Sequence, residues 1–165
     1  MRLTRLFAQY LLALLMCFGS SCVMAAQSTK HFMPGSYQEI LSAHAGKPFI
    51  VSLWSLDCTY CEDDMVLFDR LSKKYRDLDL IIISTDTLGH SKDIERTLQR
   101  HHLQRIESWV FADPFVERLR YEVDAQWYGE LPRTYLYDAQ GHVVALSGRL
   151  QPAKIEQWVR TNHNR

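Results

Sequence analysis

Two cysteines separated by two residues are the part of the sequence best suited to chemistry. They stand in the run Cys58-Thr59-Tyr60-Cys61, after an apolar stretch that ends at Trp54 and at the start of a stretch with helical spacing. Thiols three positions apart in the first turn of a helix can close a disulfide with little backbone movement. The helix dipole stabilises a thiolate there, and a thiolate attacks other disulfides. This pattern predicts Cys58 as the nucleophile and Cys61 as the resolving thiol.

Other sites built on such a pair fit the sequence less well. A structural zinc site needs four ligands, usually with a second cysteine pair, and the remaining candidate contributor is His101-His102, on a separate predicted helix. Covalent haem requires histidine directly after the second cysteine, where Glu62 stands. A purely structural disulfide stays open, although a bridge over so short a loop removes little chain entropy. No metal or organic cofactor is expected beyond the redox-active Cys58–Cys61 pair.

The first 25 residues have the pattern of a secretory signal peptide. Two arginines precede an apolar stretch from Leu6 to Phe18, and small residues follow up to Ala25, after which cleavage is expected. The apolar run is shorter than the about 20 residues that a membrane span needs, but an uncleaved anchor stays open. A lipid anchor on Cys17 or Cys22 fits less well. We therefore expect a periplasmic or other extracytoplasmic location, which permits disulfides.

The composition narrows the class of protein further. Of the 165 residues, 47% are hydrophobic and 23% are charged, which is ordinary for a globular domain and excludes a disordered chain. Nineteen Lys and Arg balance nineteen Asp and Glu. Because nucleic-acid-binding proteins usually carry a basic excess, no nucleic-acid partner is expected. We expect one domain, acting as a monomer.

The hydrophobic pattern predicts an α/β architecture with a mixed sheet. Helical spacing of apolar residues predicts five helices, over residues 37–45, 58–76, 91–102 and 113–121 and from Pro152 onward. Apolar runs predict strands over residues 49–54, 78–85, 134–138 and 142–147. Residues 28–36 are predicted to form a loop, and Ser91 is predicted to cap its helix. Strands that alternate with helices imply a parallel pair, and the last two strands form a hairpin.

Two segments resemble exported thiol-disulfide oxidoreductases of the TlpA/ResA-like family. The run from Trp54 to Cys61 resembles the thioredoxin active-site pattern W-x-x-x-C-x-x-C, and the run from Tyr128 to Gly141 resembles the family's segment G-x-P-x-T-[FY]-L-x-D-x-x-G. The resemblance implies a thioredoxin-like fold over residues 37–163, a mixed central sheet flanked by helices. It also implies a cis peptide bond between Leu131 and Pro132, beside the cysteines; an ordinary trans turn is the alternative.

The same resemblance implies a function. Cys58 and Cys61 would reduce disulfides in exported proteins, and a membrane-bound thiol donor would reduce the pair again. Cytochrome c maturation is one role within the family, and general disulfide reduction is another. Two alternatives stay open: a disulfide oxidant or isomerase, since Tyr60 before the second cysteine also occurs in exported isomerases, and a non-catalytic binding module with this fold.

The resemblance also suggests supporting residues around the cysteines. Trp54, Leu131 and Pro132 are expected to support the site or contact substrate. The segment Gly89-His90-Ser91-Lys92 resembles a family segment with glutamate in the second position, which makes His90 a candidate proton acceptor; a solvated loop histidine is the alternative, and Asp86 is another candidate. Trp127 and Tyr128 are predicted to be core or groove aromatics, and a substrate-binding role for them stays open.

The sequence departs from the family in its charges. Acids stand at four positions between residues 57 and 64: Asp57, Glu62, Asp63 and Asp64. Together they would disfavour a Cys58 thiolate and make the pair more reducing; the alternative is that they complement the helix dipole. Many thioredoxin-like proteins bury an acid six residues before the first cysteine, where this chain has Ser52. That proton acceptor is therefore missing.

Overall fold

A computed structural model describes residues 28–163. They form a six-stranded sheet flanked by five α-helices. In chain order the strands are β1 Lys30–Phe32, β2 Phe49–Trp54, β3 Asp79–Thr87, β4 Glu107–Phe111, β5 Arg133–Tyr137 and β6 Val143–Ser147. The helices are α1 Ser36–Ala43, α2 Cys61–Lys74, α3 Ser91–Arg100, α4 Val116–Val123 and α5 Pro152–His163, with a short 3-10 helix, Leu88–His90, before α3.

The strand order places the loops that carry the candidate site at one edge of the sheet. The order is β1-β4-β3-β2-β5-β6. The first four strands of that order are parallel, whereas β5 and β6 run antiparallel to their neighbours. Ser52, in the middle of β2, pairs with Ile82 on one side and with Thr134 on the other. The carboxyl ends of β2 and β3 therefore meet the amino end of β5 at the same edge.

The core lies on both faces of the sheet because β2 and β3 are buried on both faces. Side chains alternate across β2, so Ile50 and Trp54 enter the cluster on one face while Val51 and Leu53 enter the other. The first cluster packs against α2, α3 and α5, and the second packs against α1 and α4. The loop after β2 thus extends from the most deeply buried strand of the protein.

The structure confirms the α/β fold, the five helices, the four predicted strands and the final hairpin, and it adds two strands. Within the segment predicted to be a loop, residues 30–32 form β1, which pairs with β4. Three residues are too few to show a strand period, and Phe32 is the one fully buried side chain among them. The second added strand, β4, lies outside every strand predicted from the sequence and contains the buried residues Trp109 and Phe111. The sheet thus begins ahead of residue 37, the predicted start of the domain.

The predicted starts of α2 and α4 and the predicted N-cap of α3 are wrong; α4 begins at Val116 rather than at residue 113. Helix α2 begins at Cys61 rather than Cys58, because Cys58 belongs to a turn in which its carbonyl accepts the N–H of Cys61 at 3.2 Å. His90, not Ser91, occupies the N-cap of α3, and the Ser91 hydroxyl donates backward to the carbonyl of Leu88 at 2.6 Å. Between residues 28 and 163, no helix is both long and apolar enough to cross a membrane. The predicted signal segment lies outside the described residues.

Candidate active site

The loop between β2 and α2 is held by the strand beside it. The Cys58 N–H donates to the carbonyl of Ser55 at 3.2 Å, which closes a tight turn. One carboxylate oxygen of Asp86 accepts the N–H of Leu56 at 3.0 Å and the hydroxyl of Ser84 at 2.6 Å. Asp86, a candidate proton acceptor from the sequence, therefore anchors the loop that carries the cysteines.

Cys58 and Cys61 form a disulfide, with their Cα atoms 5.4 Å apart. Their environments differ. Cys58 is partly exposed in the turn before α2, whereas Cys61, the first residue of α2, is 2% exposed and packed in the core cluster. A partner molecule can reach the sulfur of Cys58 more easily than that of Cys61. The arrangement fits the predicted division into an outer nucleophile and an inner resolving thiol.

A buried carboxylic acid lies one helical turn after Cys61. Asp64 is 3% exposed and lines a small cavity together with Cys61, Trp54 and Pro132. Its Oδ1 accepts the backbone N–H of Leu150 at 3.0 Å, while its Oδ2 is buried without a partner in the described part of the chain. Burial raises the pKa of Asp64 to about 6, against the lowering effect of the Leu150 hydrogen bond. This acid can exchange a proton near neutral pH beside the inner thiol.

The other acids at the start of α2 do not act as one negative patch. Glu62 lies 3.4 Å from a guanidinium nitrogen of Arg100, and Asp63 lies 3.1 Å from one of Arg149. Both pairs are exposed and so contribute little to stability, but they offset the two carboxylate charges. With Asp64 buried, the interpretation that four carboxylates jointly oppose a Cys58 thiolate is not supported by the geometry.

A hydroxyl pair occupies the position in β2 where the resemblance led us to note a missing acid. The Ser52 hydroxyl is hydrogen-bonded to the Thr134 hydroxyl at 3.1 Å, and both residues are buried. Ser52 lines the same small cavity as Asp64 and Cys61. The cavity therefore does contain an acid, Asp64, which comes from α2 rather than from β2.

The loop before β5 brings Pro132 to the disulfide. The Leu131–Pro132 peptide bond is cis, as the resemblance implies. Pro132 is buried in the wall of the cavity that Cys61 also lines, and its carbonyl accepts the N–H of Gly148 at 2.9 Å. Leu131 is half-buried and packs against the core clusters on both faces.

A groove of about 280 Å³ runs along the other side of the cysteine loop. Trp54, Leu56 and Cys61 form one wall, and α3 forms the opposite wall with Arg96 and Arg100. Trp54 is 4% exposed and lines both this groove and the small cavity. The predicted supporting residues Trp54 and Pro132 thus surround the inner cysteine.

His90 is the predicted site residue that the structure does not bring to the cysteines. It is exposed at the end of the 3-10 helix and lines neither of the two cavities beside the disulfide. Its role as a proton acceptor stays a prediction. The two aromatic residues whose role the sequence left open lie in different environments. Trp127 is 4% exposed in the core, whereas Tyr128 is 89% exposed.

Asp64 is the functional candidate that the sequence interpretation missed, because the acids at the start of α2 were treated as one group. A signal was available in the helical spacing. Cys61, Met65, Phe68 and Leu71 lie on the buried face of α2, and position 64 falls on that face one turn after the cysteine. An acid on the apolar face of a helix is an exception that calls for a reason.

Comparisons with known proteins support the fold. No family model matches the chain, and no curated protein matches it. Among solved structures, a secreted disulfide oxidoreductase from Mycobacterium tuberculosis, described as homologous to E. coli DsbE, superposes with a TM-score of 0.60 at 14% identity, over 73% of this chain and 85% of that one. A thiol:disulfide interchange protein of the thioredoxin family from Chlorobium tepidum gives 0.58 at 17% identity, over 74% and 83%.

A second Chlorobium tepidum protein, described as a putative DsbE, gives a TM-score of 0.54 at 21% identity, over 74% of this chain and 84% of that one. These identities are low, but the alignments cover most of both chains. The protein therefore has the thioredoxin-like fold of these disulfide oxidoreductases, with its own Cys58–Cys61 disulfide at the edge where the parallel strands end.

Proposed function

We propose that the protein is an exported thiol-disulfide oxidoreductase that reduces disulfides in other proteins. One observation carries the proposal: a disulfide at the start of a helix has one partly exposed and one buried cysteine, and a buried acid lies one turn further along. A structural bridge across so short a loop would contribute little stability and would gain nothing from an adjacent proton acceptor.

The reaction begins with the dithiol form. The Cys58 thiolate attacks one sulfur of a substrate disulfide, which forms a mixed disulfide and releases the first substrate thiolate. Asp64 accepts the proton of Cys61, whose thiolate then attacks the Cys58 sulfur. The second substrate thiolate leaves, and the Cys58–Cys61 disulfide remains. Two electrons pass to the substrate, and the two substrate thiolates take up protons from Asp64 and water.

The remaining residues hold the substrate and the loop. Leu131 offers its backbone to an extended substrate chain in this proposal, while the Pro132 carbonyl is bonded to the N–H of Gly148. Trp54 closes the cavity behind Cys61. A membrane-bound thiol donor restores the dithiol, and cytochrome c maturation is one process that would use such a reductant. The secreted Mycobacterium tuberculosis oxidoreductase among the structural neighbours supports an exported role.

The midpoint potential of the Cys58/Cys61 pair tests the direction of electron flow. Equilibration of residues 26–165 with dithiothreitol or glutathione buffers is expected to give a value near or below about −270 mV, the thioredoxin range. A value near about −120 mV, the range of strong periplasmic oxidants, would contradict reduction and favour disulfide donation.

Single-cysteine variants test the division of roles. Cys61→Ser is expected to trap a mixed disulfide between Cys58 and a protein substrate, whereas Cys58→Ser is expected to trap none and to lose turnover. The oxidised wild type is the control for covalent capture. Equal trapping by the two variants would contradict the assignment, and a wild type without any redox turnover would favour a binding module instead.

Export is tested separately. When the full chain is expressed with a periplasmic and a cytoplasmic marker, the signal segment predicts recovery with the periplasmic marker and a mature terminus at Ala26. Recovery with the membrane fraction at full length would indicate an uncleaved anchor. A full-length product in the cytoplasmic fraction would contradict export.

A further inference from the structure

The loop that leads to Pro132 holds an aromatic side chain out in solvent. Tyr128 is 89% exposed, more than any other large hydrophobic side chain that the structure describes. A single exposed tyrosine is ordinary on a protein surface. Tyr128 differs because the backbone on either side of it is fixed by specific contacts.

Glu130 fixes the loop from within. Its backbone carbonyl accepts the indole N–H of Trp127 at 2.9 Å, and one carboxylate oxygen accepts the N–H of Tyr128 at 3.2 Å. The other carboxylate oxygen accepts the hydroxyl of Ser147, on β6, at 3.0 Å. The backbone of Tyr128 is thus tied to a residue that is itself tied to the sheet.

Arg133 joins the two ends of the loop. Its Nη2 donates to the carboxylate of Asp124, at the start of the loop, at 2.7 Å, and its Nη1 lies 3.5 Å from Glu130 and donates to Ser147 at 2.5 Å. The Arg133 side chain is 13% exposed. A guanidinium with several partners in fixed directions fixes the geometry of the loop as well as stabilising it.

Helix α4 contacts the loop through the side chain of Arg120. Gly129 has a φ of +97°, and a Cβ at this position would lie 3.0 Å from the Cζ of Arg120. The guanidinium of Arg120 therefore packs directly on the backbone beside Tyr128. The left-handed φ favours glycine at this position, and a larger residue would also have to displace the Arg120 guanidinium.

We propose that Tyr128 is a specificity-determining residue that contacts an aromatic or aliphatic side chain beside the cysteine of a substrate polypeptide, and that Arg133 is the positioning residue that holds its loop. The inference rests on the proposed function. Cys58 follows β2 and the Pro132 loop precedes β5, so both lie at the same edge of the sheet, where a substrate bound to Cys58 would extend. A flat, rigidly presented ring offers contact area at little entropic cost, and a second tyrosine, Tyr60, is 58% exposed on the cysteine loop itself.

The test uses two synthetic peptides with one internal disulfide each, identical except that phenylalanine or serine flanks the cysteines. The measured quantity is the ratio of kcat/KM for the phenylalanine peptide to that for the serine peptide. Tyr128→Ser is expected to lower this ratio about three- to tenfold, the range of aromatic pair energies, whereas Tyr128→Phe is expected to retain it. Tyr121→Ser is the matched control, because Tyr121 is 69% exposed on α4.

Arg133→Lys tests the positioning role. It keeps the charge but removes the planar fork, so the ratio is expected to fall through a higher KM for the phenylalanine peptide, while the midpoint potential of the cysteines stays at the wild-type value. A shift in the potential without a change in the ratio would overturn the positioning role, because Arg133 would then act on the disulfide and not on the loop.

The outcomes separate this inference from the proposed function. If the wild type turns over both peptides and Tyr128→Ser leaves the ratio unchanged, or Tyr121→Ser lowers it equally, the role of Tyr128 is overturned and the proposed function stands. If the wild type turns over neither peptide, both are overturned.

Discussion

Two polar sites lie on opposite faces of the sheet: the site of Asp64 is buried, and the site of Asp124 and Arg133 is half-buried. On one face, Asp64 sits among core residues of α2 with one carboxylate oxygen bonded to Leu150 and the other without a partner in the described chain. On the other face, Asp124 accepts from Arg133 and from the Tyr135 hydroxyl, and Arg133 also donates to Tyr135. A paired group fixes position, whereas a buried acid with an unmet bond is poised to bind a proton.

The pKa shifts of these acids have opposite signs. Burial raises the pKa of Asp64 to about 6. The hydrogen bond from the backbone of Gln126, together with those from Arg133 and Tyr135, holds the pKa of Asp124 below its usual range. The folded state therefore binds the proton of Asp64 more tightly than the unfolded chain does, and that of Asp124 less tightly. At a pH where both acids are ionised, Asp64 therefore lowers the free energy of unfolding, whereas Asp124 raises it.

The largest expected effect is on stability in Asp64→Asn. Since the folded pKa of about 6 exceeds the reference value of 3.8, wild-type stability falls as pH rises between these values, by up to about 3 kcal/mol, and stays reduced above them. The variant removes this loss, so its free energy of unfolding in urea is expected to exceed that of the wild type at pH 8 and to match it more closely at pH 4. Asp63→Asn, exposed and adjacent, is the control. An equal change at both pH values would contradict the raised pKa.

The same substitution is expected to slow the reaction. Without the carboxylate, the proton of Cys61 has no acceptor in the cavity, and the step that releases substrate from the mixed disulfide slows by at least about tenfold. Stopped-flow rates of that step between pH 5 and pH 8 should lose the inflection near pH 6. A pH profile unchanged from the wild type would assign Asp64 a structural role only.

Arg133→Ala addresses the paired site and is expected to cost about 2 kcal/mol of unfolding free energy, because it leaves Asp124 and Tyr135 without their charged partner in a partly buried setting. Arg118→Ala is the matched control: its pair with Asp113 is just as short, at 2.6 Å, but the Arg118 side chain is 52% exposed, so a loss below about 1 kcal/mol is expected. Similar losses in urea unfolding would show that burial does not distinguish the two pairs.

Ser52→Ala tests the hydroxyl pair beside the cavity of Asp64. Thr134 keeps a buried hydroxyl without this partner, and a loss of about 1 kcal/mol is expected. Ser52→Thr retains the hydroxyl and serves as the control for its loss. If thermal unfolding of Ser52→Ala matched that of the wild type, the pair would contribute no net stability.

The smallest effect is expected from the exposed acids at the start of α2. Replacing Glu62 by Gln and Asp63 by Asn breaks ion pairs that are worth about 0.5 kcal/mol or less at the surface. Even if all of that energy acted on the oxidation of the cysteine pair, its midpoint potential would shift by about 10 mV or less. Glutathione equilibration measures this shift. A shift several times larger would restore the interpretation of these acids as a field acting on Cys58.

The sequence predicted the buried strands β2 and β3 but missed the short strand β1 and the buried strand β4. Apolar runs placed β2 and β3 because burial on both faces leaves an unmistakable pattern. Strand β1 escaped prediction because backbone hydrogen bonds to β4, rather than a period of apolar side chains, define it. The same limit applies to the hydroxyl pair of Ser52 and Thr134, whose partners are far apart in the chain and adjacent only through register.

The candidate site divides in the same way. Cys58 and Cys61 were predictable because their spacing carries their chemistry, and Pro132 was predictable because its segment resembles that of the TlpA/ResA-like family. The environment of Asp64 was not, since its raised pKa depends on Leu150 and on the core around α2. The contacts that hold the loop of Tyr128 come from α4, β5 and β6, and no local sequence pattern predicts them.

One of the two outer strands of the sheet, β6, has a practical consequence. Strand β6 ends the sheet, and its residues read Val-Val-Ala-Leu-Ser, with no charge and no proline, while Val143 and Val144 are each 49% exposed. Natural proteins usually protect such edges with lysine, proline or a bulge. In concentrated preparations this strand is where one copy would add to the sheet of another, so solubility limits and slow aggregation during storage should be traced first to β6 and not to the cysteines.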